Sequence, residues 1–268
     1  MNLQKSQLPE INFQHQLQQH RFATIDFPLS RTQLELAANH FLDFLRLPLD
    51  LKRQLHFSAR SHRASADGYT NKLDISNKDP KEFFHWTPML QQQENYRHWQ
   101  ANDPVVERFF ASAHNIYQAI NQVLYPLFLE QFPEYVDELF VDGDLRDGIL
   151  RFLSYAPQSH ESLCAKAHFD KGFGTMAIAE SASGLRVGCC DQHSLKTVEH
   201  LDGKALFMPG WMLFEHSQGR YRPAWHDVIH NPDESAVTEF CARWAIVFFI
   251  NHPDRRFTSW QAVHSPQF

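Results

Sequence analysis

From about residue 147 onwards, the sequence is a series of short apolar runs rich in β-forming residues, separated by Gly, Pro, Asp and Asn. No stretch with the apolar spacing of a long helix separates one run from the next. Strands that follow each other without intervening helices favour an antiparallel barrel or a double-sheet jelly roll. In chain order the runs are ILRFLSYA, TMAIAE, GLRVGCC, LKTVEHL, KALFMP, WMLFEH, AWHDVIH and ARWAIVFFI. We therefore predict a jelly-roll core over residues 146–268.

Residues 1–145 contain helical patterns instead. Ser30 followed by Gln33 forms a capping-box pattern, and apolar residues then recur at helical spacing. A second helix is predicted to begin with Pro104 at its first position and to be kinked or ended by Pro126. Between the start of the chain and the first of these helices, FATIDF is predicted to be a strand. The fold class is thus α+β, mainly β, with a helical and mixed N-terminal region packed on the core as one integrated unit.

Composition argues against several classes of function. The formal charge of 25 − 31 = −6 is spread along the chain with no basic run, so nucleic acid is not an expected partner. The longest apolar run, WAIVFFI, is too short to cross a membrane, and the first residues have no export-signal pattern. The four cysteines do not form a disulfide framework, so we expect reduced thiols and a cytoplasmic protein. The sequence does not predict the oligomeric state.

A possible metal site lies in the stretch AKAHFDKGFGTMA, at 165–177. On a strand, His168 and Asp170 project to the same face while Phe169 turns to the other. Fifty-eight residues after His168, following several β-runs, His226 occupies another strand position. Two histidines and one carboxylate are the ligands of the non-haem Fe(II) oxygenases, and they leave three coordination sites for a bidentate co-substrate and O₂. We predict that these three residues bind Fe(II).

Other histidines offer alternatives. His226 and His230 have the spacing of a zinc pair on a helix, which would favour a zinc hydrolase, but Asn231-Pro232 favours a strand that stops there. We therefore expect His230 to be a partly exposed residue at a strand end. A second His-x-Asp motif, beginning at His252 next to a proline, is interpreted as accidental. The remaining candidates are expected to be ordinary polar residues: His160, His193, His200 and His216.

Taken together, the motifs of this chain resemble those of the isopenicillin N synthase-like Fe(II)/2-oxoglutarate-dependent dioxygenases, over about residues 8–255. The resemblance rests on the order and spacing of many short segments rather than on any one of them. Those segments are INF, RFATIDF, NHFLDFLRLP, LDLKRQL, GYTNK, DPKEFFHW, LRFLSYAP, HFDKG, TMAI and GLRV. The family's fold is a double-stranded β-helix, which is a form of jelly roll, carrying a mixed N-terminal region.

The resemblance implies a site and a reaction. His168, Asp170 and His226 would be the iron ligands, and Fe(II), 2-oxoglutarate and O₂ would be used to oxidise, most commonly to hydroxylate, a small organic substrate. Arg243 would bind the distal carboxylate of 2-oxoglutarate, for which a guanidinium fork is well suited. A buried Arg243 would in any case need an anion. Tyr155 would point toward the co-substrate.

The sequence departs from the family pattern at four places. A serine expected two residues after Arg243 is Ala245, and an asparagine expected on an earlier strand is Leu153. Asp227 stands where an arginine is usual, and about seven extra residues lie near 231–239. These departures leave open an Fe(II) oxidase of the same fold that does not use 2-oxoglutarate. A non-catalytic jelly-roll binding protein is a separate alternative, against which the two histidines and one carboxylate argue.

Three further residues are candidate substrate contacts. Tyr69 lies in a polar segment with Asn71 and Lys72, and Phe84 belongs to the aromatic segment KEFFHW. Apolar and aromatic side chains are typical of small-molecule pockets, although packing of this segment on the core is the alternative. Arg186, on a predicted strand, faces either the pocket or the solvent, and alternation alone does not decide between them.

Overall fold

The computed structural model describes residues 12–57, 67–73, 80–157, 162–230 and 237–253. The α-helices of these ranges are α1 Phe13–His20, α2 Arg31–Leu45, α3 Leu49–Gln54, α4 Glu94–Asn102, α5 Pro104–Gln131, α6 Val136–Leu139 and α7 Trp211–His216. The strands are β1 Ala23–Asp26, β2 His56–Phe57, β3 Asp67–Lys72, β4 Lys81–Trp86, β5 Phe140–Val141, β6 Asp144–Leu145, β7 Gly148–Tyr155, β8 Ser162–His168, β9 Gly174–Glu180, β10 Leu185–Gly188, β11 Lys196–Thr197, β12 Lys204–Pro209, β13 Trp225–His230 and β14 Arg243–Ile250.

Two antiparallel sheets form the core. The larger has the strand order β1-β12-β9-β14-β7-β4-β3-β2, and the smaller has the order β11-β10-β13-β8. Strands that are distant in sequence are neighbours in both sheets, as in a jelly roll, and side chains from both sheets line one central cavity. The predicted fold class is confirmed.

Strands from the N-terminal region extend the larger sheet at both edges. β1 pairs with β12, so the predicted strand FATIDF is confirmed, and β4 pairs with β7 in a register that places Phe83 opposite Leu153. Because strands from before residue 145 belong to the same sheet as the core, the two regions form one hydrogen-bonded unit. The boundary at residue 145 itself stays a prediction.

Helices α2 and α5 cover the outer face of the larger sheet. Side chains alternate along β7, so Phe152 points outward and its ring packs against Phe41 of α2 and Phe109 of α5. The Ser30 capping box is present at the start of α2. Pro126 lies inside α5, which continues to Gln131, so of the two predicted outcomes, a kink or an end of the helix, the end is excluded.

The run WMLFEH was predicted to be a strand, and this is wrong: it forms helix α7. A short apolar run does not distinguish a strand from a buried helical turn, and here the contacts of the backbone decide. The N–H groups of Trp211 and Met212 donate to the carbonyls of Asp170 and Gly172, at 2.8 and 3.1 Å. A Cβ on Gly210 would lie 2.1 Å from the Gly172 carbonyl oxygen, so this close approach requires glycine. No helix in the described part of the chain is long and apolar enough to cross a membrane.

Candidate active site

The three predicted metal ligands lie together at one end of the central cavity. His168 is the last residue of β8, and it is directly opposite His226 of β13 in the sheet register. The Nε2 atom of His168 lies 3.5 Å from Oδ1 of Asp170, and that of His226 lies 3.6 Å from Oδ2. Bonds of about 2.1 Å place neighbouring octahedral ligands about 3 Å apart. The two histidine-to-aspartate separations are therefore slightly wider than around a bound ion, and all three donor atoms lie within 4.8 Å of one another.

Contacts behind the three side chains orient them toward a metal. The Nδ1 atoms of His168 and His226 lie 2.6 and 3.0 Å from the carbonyl oxygens of Lys166 and Ala224. A carbonyl oxygen only accepts, so each Nδ1 carries the proton and each Nε2 keeps its lone pair for a metal. The Thr175 hydroxyl donates to Oδ2 of Asp170 at 2.6 Å. The donor set fits a divalent metal.

The charges of the site favour an ionised carboxylate. Burial alone raises the pKa of Asp170, but His226, His168 and the Thr175 hydroxyl together hold it below its ordinary value. Burial lowers the pKa of His226, which keeps this imidazole neutral at pH 7. Burial also lowers the pKa of His168, but the adjacent carboxylate outweighs that effect and raises it. A metal that binds here displaces any proton on Nε2 of His168, while the Nδ1 proton stays hydrogen-bonded to the Lys166 carbonyl.

Phe169 lies between His168 and Asp170 in the chain, and its side chain turns away from theirs, as predicted. Its ring packs against Trp211 of α7 and Trp225 of β13, with centroid separations of 5.7 and 4.8 Å. This small cluster fixes the backbone on which His168 and Asp170 stand.

The cavity between the sheets extends away from the metal ligands and has a volume of about 110 Å³. Besides the three metal ligands and Thr175, its polar lining residues are Lys81, Arg151, Tyr155, Glu180, His200 and Arg243. Its apolar lining residues are Leu153, Ala165, Ala177, Ala179, Leu185, Met208, Val228, Ala245, Val247 and Phe249.

Arg243 is buried in the cavity wall, and the anion that a buried arginine needs is a residue of the same chain. Its guanidinium forms an ion pair with Glu180, which sequence reasoning missed, and Nε donates to the Ala182 carbonyl at 3.2 Å. Nη1 is buried without a hydrogen-bond partner among the described atoms. Tyr155 lies beside it, with the Arg243 Cζ 5.7 Å from the ring centroid. The two predicted cofactor-binding residues therefore share one part of the cavity.

His200 completes this group. Its Nδ1 lies 3.2 Å from Oε1 of Glu180, and burial lowers the pKa of His200 to about 4, so it is neutral at pH 7. The charges of the group are thus one arginine and one glutamate. The expectation that His200 is an ordinary polar residue did not anticipate its place in the cavity wall.

The part of the chain that contributes most of the cavity matches a known protein family. Residues 147–252 match the family model of the 2OG-Fe(II) oxygenase superfamily, a span that includes the three metal ligands and Arg243. Residues 147–252 are a 2OG-Fe(II) oxygenase domain. Enzymes of this superfamily are dioxygenases that use iron and 2-oxoglutarate, which agrees with the arrangement of His168, Asp170 and His226.

Solved structures share the fold over nearly the whole chain. A full-length protein of Neurospora crassa, in complex with alpha-KG and 5-formyluracil, is 20% identical, with 90% of this chain and 77% of that one covered and a TM-score of 0.67. The dioxygenase for auxin oxidation 1 of Arabidopsis thaliana, in complex with 2-oxoglutarate, is 17% identical, with coverages of 90% and 86% and a TM-score of 0.64. None of the curated proteins compared with the sequence matches it.

Two of the departures from the family pattern meet in this oxygenase domain. Ala245 and Leu153 are directly opposite each other on β14 and β7, and both line the cavity next to Arg243 and Tyr155. The family's serine and asparagine are thus replaced by one apolar cross-strand pair. Polar contacts at this end come instead from Glu180, which is also opposite Ala245, on β9.

A third departure is explained by Arg186, one of the predicted substrate contacts. Arg186 and Asp227 are cross-strand partners on the face of the smaller sheet opposite to that of Leu185 and Val228, which line the cavity. The guanidinium donates to both carboxylate oxygens, from Nε at 2.8 Å and from Nη2 at 2.5 Å. Arg186 therefore balances the buried Asp227 and does not contact the cavity.

The structure also places the other two predicted substrate contacts away from the cavity. The Tyr69 hydroxyl donates to Glu82, and burial together with Glu82 raises the pKa of Tyr69. Phe84 lies in the helical core, where its ring packs on Phe44 and Phe109. Alternation along β4 is the reason, since it turns the neighbouring Phe83 to the inner face and Phe84 to the outer one.

His230 is buried, with 6% of its surface exposed, so the expectation of partial exposure is wrong. It is the last residue of β13 and pairs with Ser162 on β8, so the strand stays within the sheet up to this residue. It belongs to neither group of metal-ligating side chains found among the described residues. His160 and the part of the extra segment at 231–236 lie outside the described residues.

Proposed function

We propose that the chain is an Fe(II)- and 2-oxoglutarate-dependent oxygenase that hydroxylates a small organic acid in the cavity between its two sheets. The observation that carries the proposal is the convergence of the Nε2 atoms of His168 and His226 on the carboxylate of Asp170. Each imidazole is oriented by a backbone carbonyl and the carboxylate by Thr175, as expected for metal ligands rather than for chance neighbours.

Bound Fe(II) and 2-oxoglutarate supply the oxidation: one O₂, one 2-oxoglutarate and one substrate give succinate, CO₂ and the hydroxylated product. The protein supplies positioning. We assign the distal carboxylate of 2-oxoglutarate to Arg243, whose buried Nη1 has no hydrogen-bond partner within the described structure. Tyr155 and Leu153 form the adjoining wall, and apolar side chains exclude water from the rest of the cavity.

The charges on the cavity wall favour an acidic substrate. Lys81 and Arg151 line the cavity in addition to Arg243. The Arg151 guanidinium lies over the rings of Phe83 and Phe249, at 5.0 and 4.5 Å from their centroids, and donates to Nε2 of His85 at 2.7 Å. A guanidinium held between two aromatic rings in the cavity wall is suited to bind a carboxylate. Arg151 and Phe249 are therefore the proposed substrate contacts.

The test is a panel of small organic acids, each paired with its neutral methyl ester, assayed for substrate-dependent succinate release. We expect the acids to stimulate turnover more than their esters, and Arg151→Met to remove that preference while Fe(II) binding is retained. Equal stimulation by acids and esters contradicts the acidic substrate. Failure of every compound to stimulate succinate release, in protein that binds Fe(II) and 2-oxoglutarate, also counts against this substrate class.

A second candidate, an Fe(II) oxidase of the same fold that does not use 2-oxoglutarate, is favoured by one observation. Arg243 already has an anionic partner in Glu180, and the adjacent polar pair of the family is replaced by Ala245 and Leu153. Substrate-dependent O₂ consumption without succinate formation supports this candidate and rejects the first. Absence of Fe(II) binding rejects both and favours a non-catalytic binding protein.

A further inference from the structure

A second group of metal-ligating side chains lies outside the cavity. Glu138 belongs to α6, His216 is the last residue of α7, and His252 lies two residues after the end of β14. Their donor atoms are all within 4.8 Å of one another, and within the described ranges only this group and the active-site triad meet that condition. His252 comes from the His-x-Asp motif that the sequence analysis interpreted as accidental; its Asp254 lies outside the described residues.

The distances suit a small divalent ion. The Nε2 atom of His252 lies 3.0 Å from Oε2 of Glu138, and Nδ1 of His216 lies 4.0 Å from the same oxygen. The two imidazole rings are 4.7 Å apart between centroids. Tetrahedral zinc with bonds of about 2.0–2.1 Å holds its ligands about 3.3 Å apart. The observed separations lie on either side of that value, so an ion fits with a small movement of His216.

The surroundings are those of a site that is closed on one side and open on the other. The His252 side chain is only 6% exposed, whereas those of His216 and Glu138 are 33% and 50% exposed. Phe173 closes the inner side, with its ring stacked on His252 at 6.5 Å and edge-on to His216 at 6.2 Å. Three protein ligands and one open position are the arrangement in which water completes a zinc coordination sphere.

We propose that Glu138, His216 and His252 bind a zinc ion that fastens α6 and α7 to the end of β14. Two imidazoles and one carboxylate occur together as zinc ligands in proteins, and zinc held by three side chains keeps one open position. The site is separate from the iron site but is joined to it through α7. The first residues of α7 donate to the carbonyls of Asp170 and Gly172, and Phe173 follows in the same loop. Zinc at the end of α7 therefore stabilises the loop that carries an iron ligand.

The experiment uses the full chain with His168→Ala and Asp170→Ala, so that the iron site does not compete for zinc. Zinc is titrated by calorimetry with a competing chelator, and the stoichiometry is checked by native mass spectrometry. We expect one zinc per chain. Adding Glu138→Gln or His216→Ala is expected to weaken zinc binding by at least about 100-fold, since loss of a ligand exceeds the effect of losing a supporting contact. His98→Ala, an exposed histidine on α4, is the matched control and should bind zinc as before.

Two results overturn the proposal: a background protein that binds no zinc, and zinc binding that Glu138→Gln and His216→Ala leave unchanged. In the first case the group is a hydrogen-bonding contact between Glu138 and His252 with a neighbouring histidine. Circular dichroism and unfolding curves without metal confirm that each variant is folded. His216 is at the surface end of a helix and Gln has the size of Glu, so both changes avoid cavities.

Discussion

The two ends of the cavity differ in how closely they follow the family pattern. At the metal end, the ligand types, their spacing and their supporting hydrogen bonds are all present. At the other end, where we propose that 2-oxoglutarate binds, the arginine of the family pattern is present as Arg243. Its polar neighbours are replaced by the apolar pair Ala245 and Leu153, and its guanidinium forms an ion pair with Glu180. Metal coordination depends on specific donor atoms, whereas a carboxylate is bound by any well-placed combination of cations and donors. The residues around Arg243 can therefore differ from the family pattern while the metal ligands follow it.

The largest effect is expected at the metal end. Asp170→Ala removes the only carboxylate among the three ligands, so Fe(II) affinity should fall by more than about 100-fold and substrate-dependent O₂ uptake should disappear. Calorimetry with Fe(II) under anaerobic conditions measures the affinity. Asp191→Ala, at an exposed position, is the control. Wild-type affinity in the Asp170→Ala protein would show that the ion is bound elsewhere.

The next largest effect is expected from a change at Arg243, which should distinguish 2-oxoglutarate binding from Fe(II) binding. Arg243→Met should weaken 2-oxoglutarate binding by roughly 10- to 150-fold, because a hydrogen bond to a charged group contributes about 1.5–3 kcal/mol. Fe(II) affinity should change little. The KM for 2-oxoglutarate and the Fe(II) dissociation constant, measured on the same preparation, check the separation. An unchanged KM for 2-oxoglutarate means that another group binds the co-substrate.

Arg243→Met leaves Glu180 buried without its cation. Glu180→Gln therefore tests the same ion pair by changing its other partner. This variant removes a competing anion, so 2-oxoglutarate should raise its melting temperature more than it raises that of the wild-type protein. Without 2-oxoglutarate, the variant should be less stable than the wild type, since the buried Arg243 has lost its charge partner. Differential scanning fluorimetry with and without the co-substrate gives both values. A smaller 2-oxoglutarate shift than that of the wild type would indicate that Glu180 assists co-substrate binding.

A smaller effect is expected from Thr175→Val, which keeps the shape of the side chain and removes its hydrogen bond to Asp170. Loss of a contact that supports a metal ligand typically reduces metal affinity by about 10- to 100-fold. Anaerobic Fe(II) titration of the variant measures this. The adjacent cavity residue Ala177, changed to Ser, is the control, and equal losses in both variants would mean that cavity packing, not the hydrogen bond, is responsible.

The smallest effect is expected from a substitution that introduces the serine of the family pattern. Ala245→Ser adds a hydroxyl next to Arg243, and one additional hydrogen bond worth about 0.5–1.5 kcal/mol should lower the KM for 2-oxoglutarate by roughly two- to tenfold. Steady-state succinate release at varied 2-oxoglutarate measures this. A rise in KM would show that the co-substrate does not approach this strand position.

The sequence predicted what local patterns and donor chemistry determine. The β-runs identified the jelly roll, and residue types with strand spacing identified His168, Asp170 and His226. Contacts between distant strands were not predictable in the same way. Glu180 gave no signal, because only the pairing of β9 with β14 brings it to Arg243. Phe84 and Arg186 failed as substrate contacts because alternation does not state which face of a strand is the inner one. The cluster of Glu138, His216 and His252 was not predicted for the same reason, since its residues are distant in sequence and only the fold brings them together.

The most direct test of the account is an anaerobic titration of the wild-type protein with Fe(II), followed by addition of 2-oxoglutarate and measurement of the visible metal-to-ligand absorption band. We predict one Fe(II) per active site and a band that appears only when 2-oxoglutarate is added, and that is absent in the Asp170→Ala protein. A wild-type protein that binds no Fe(II), or an Asp170→Ala protein that gives the same band, would contradict the assignment of His168, Asp170 and His226 as the iron ligands.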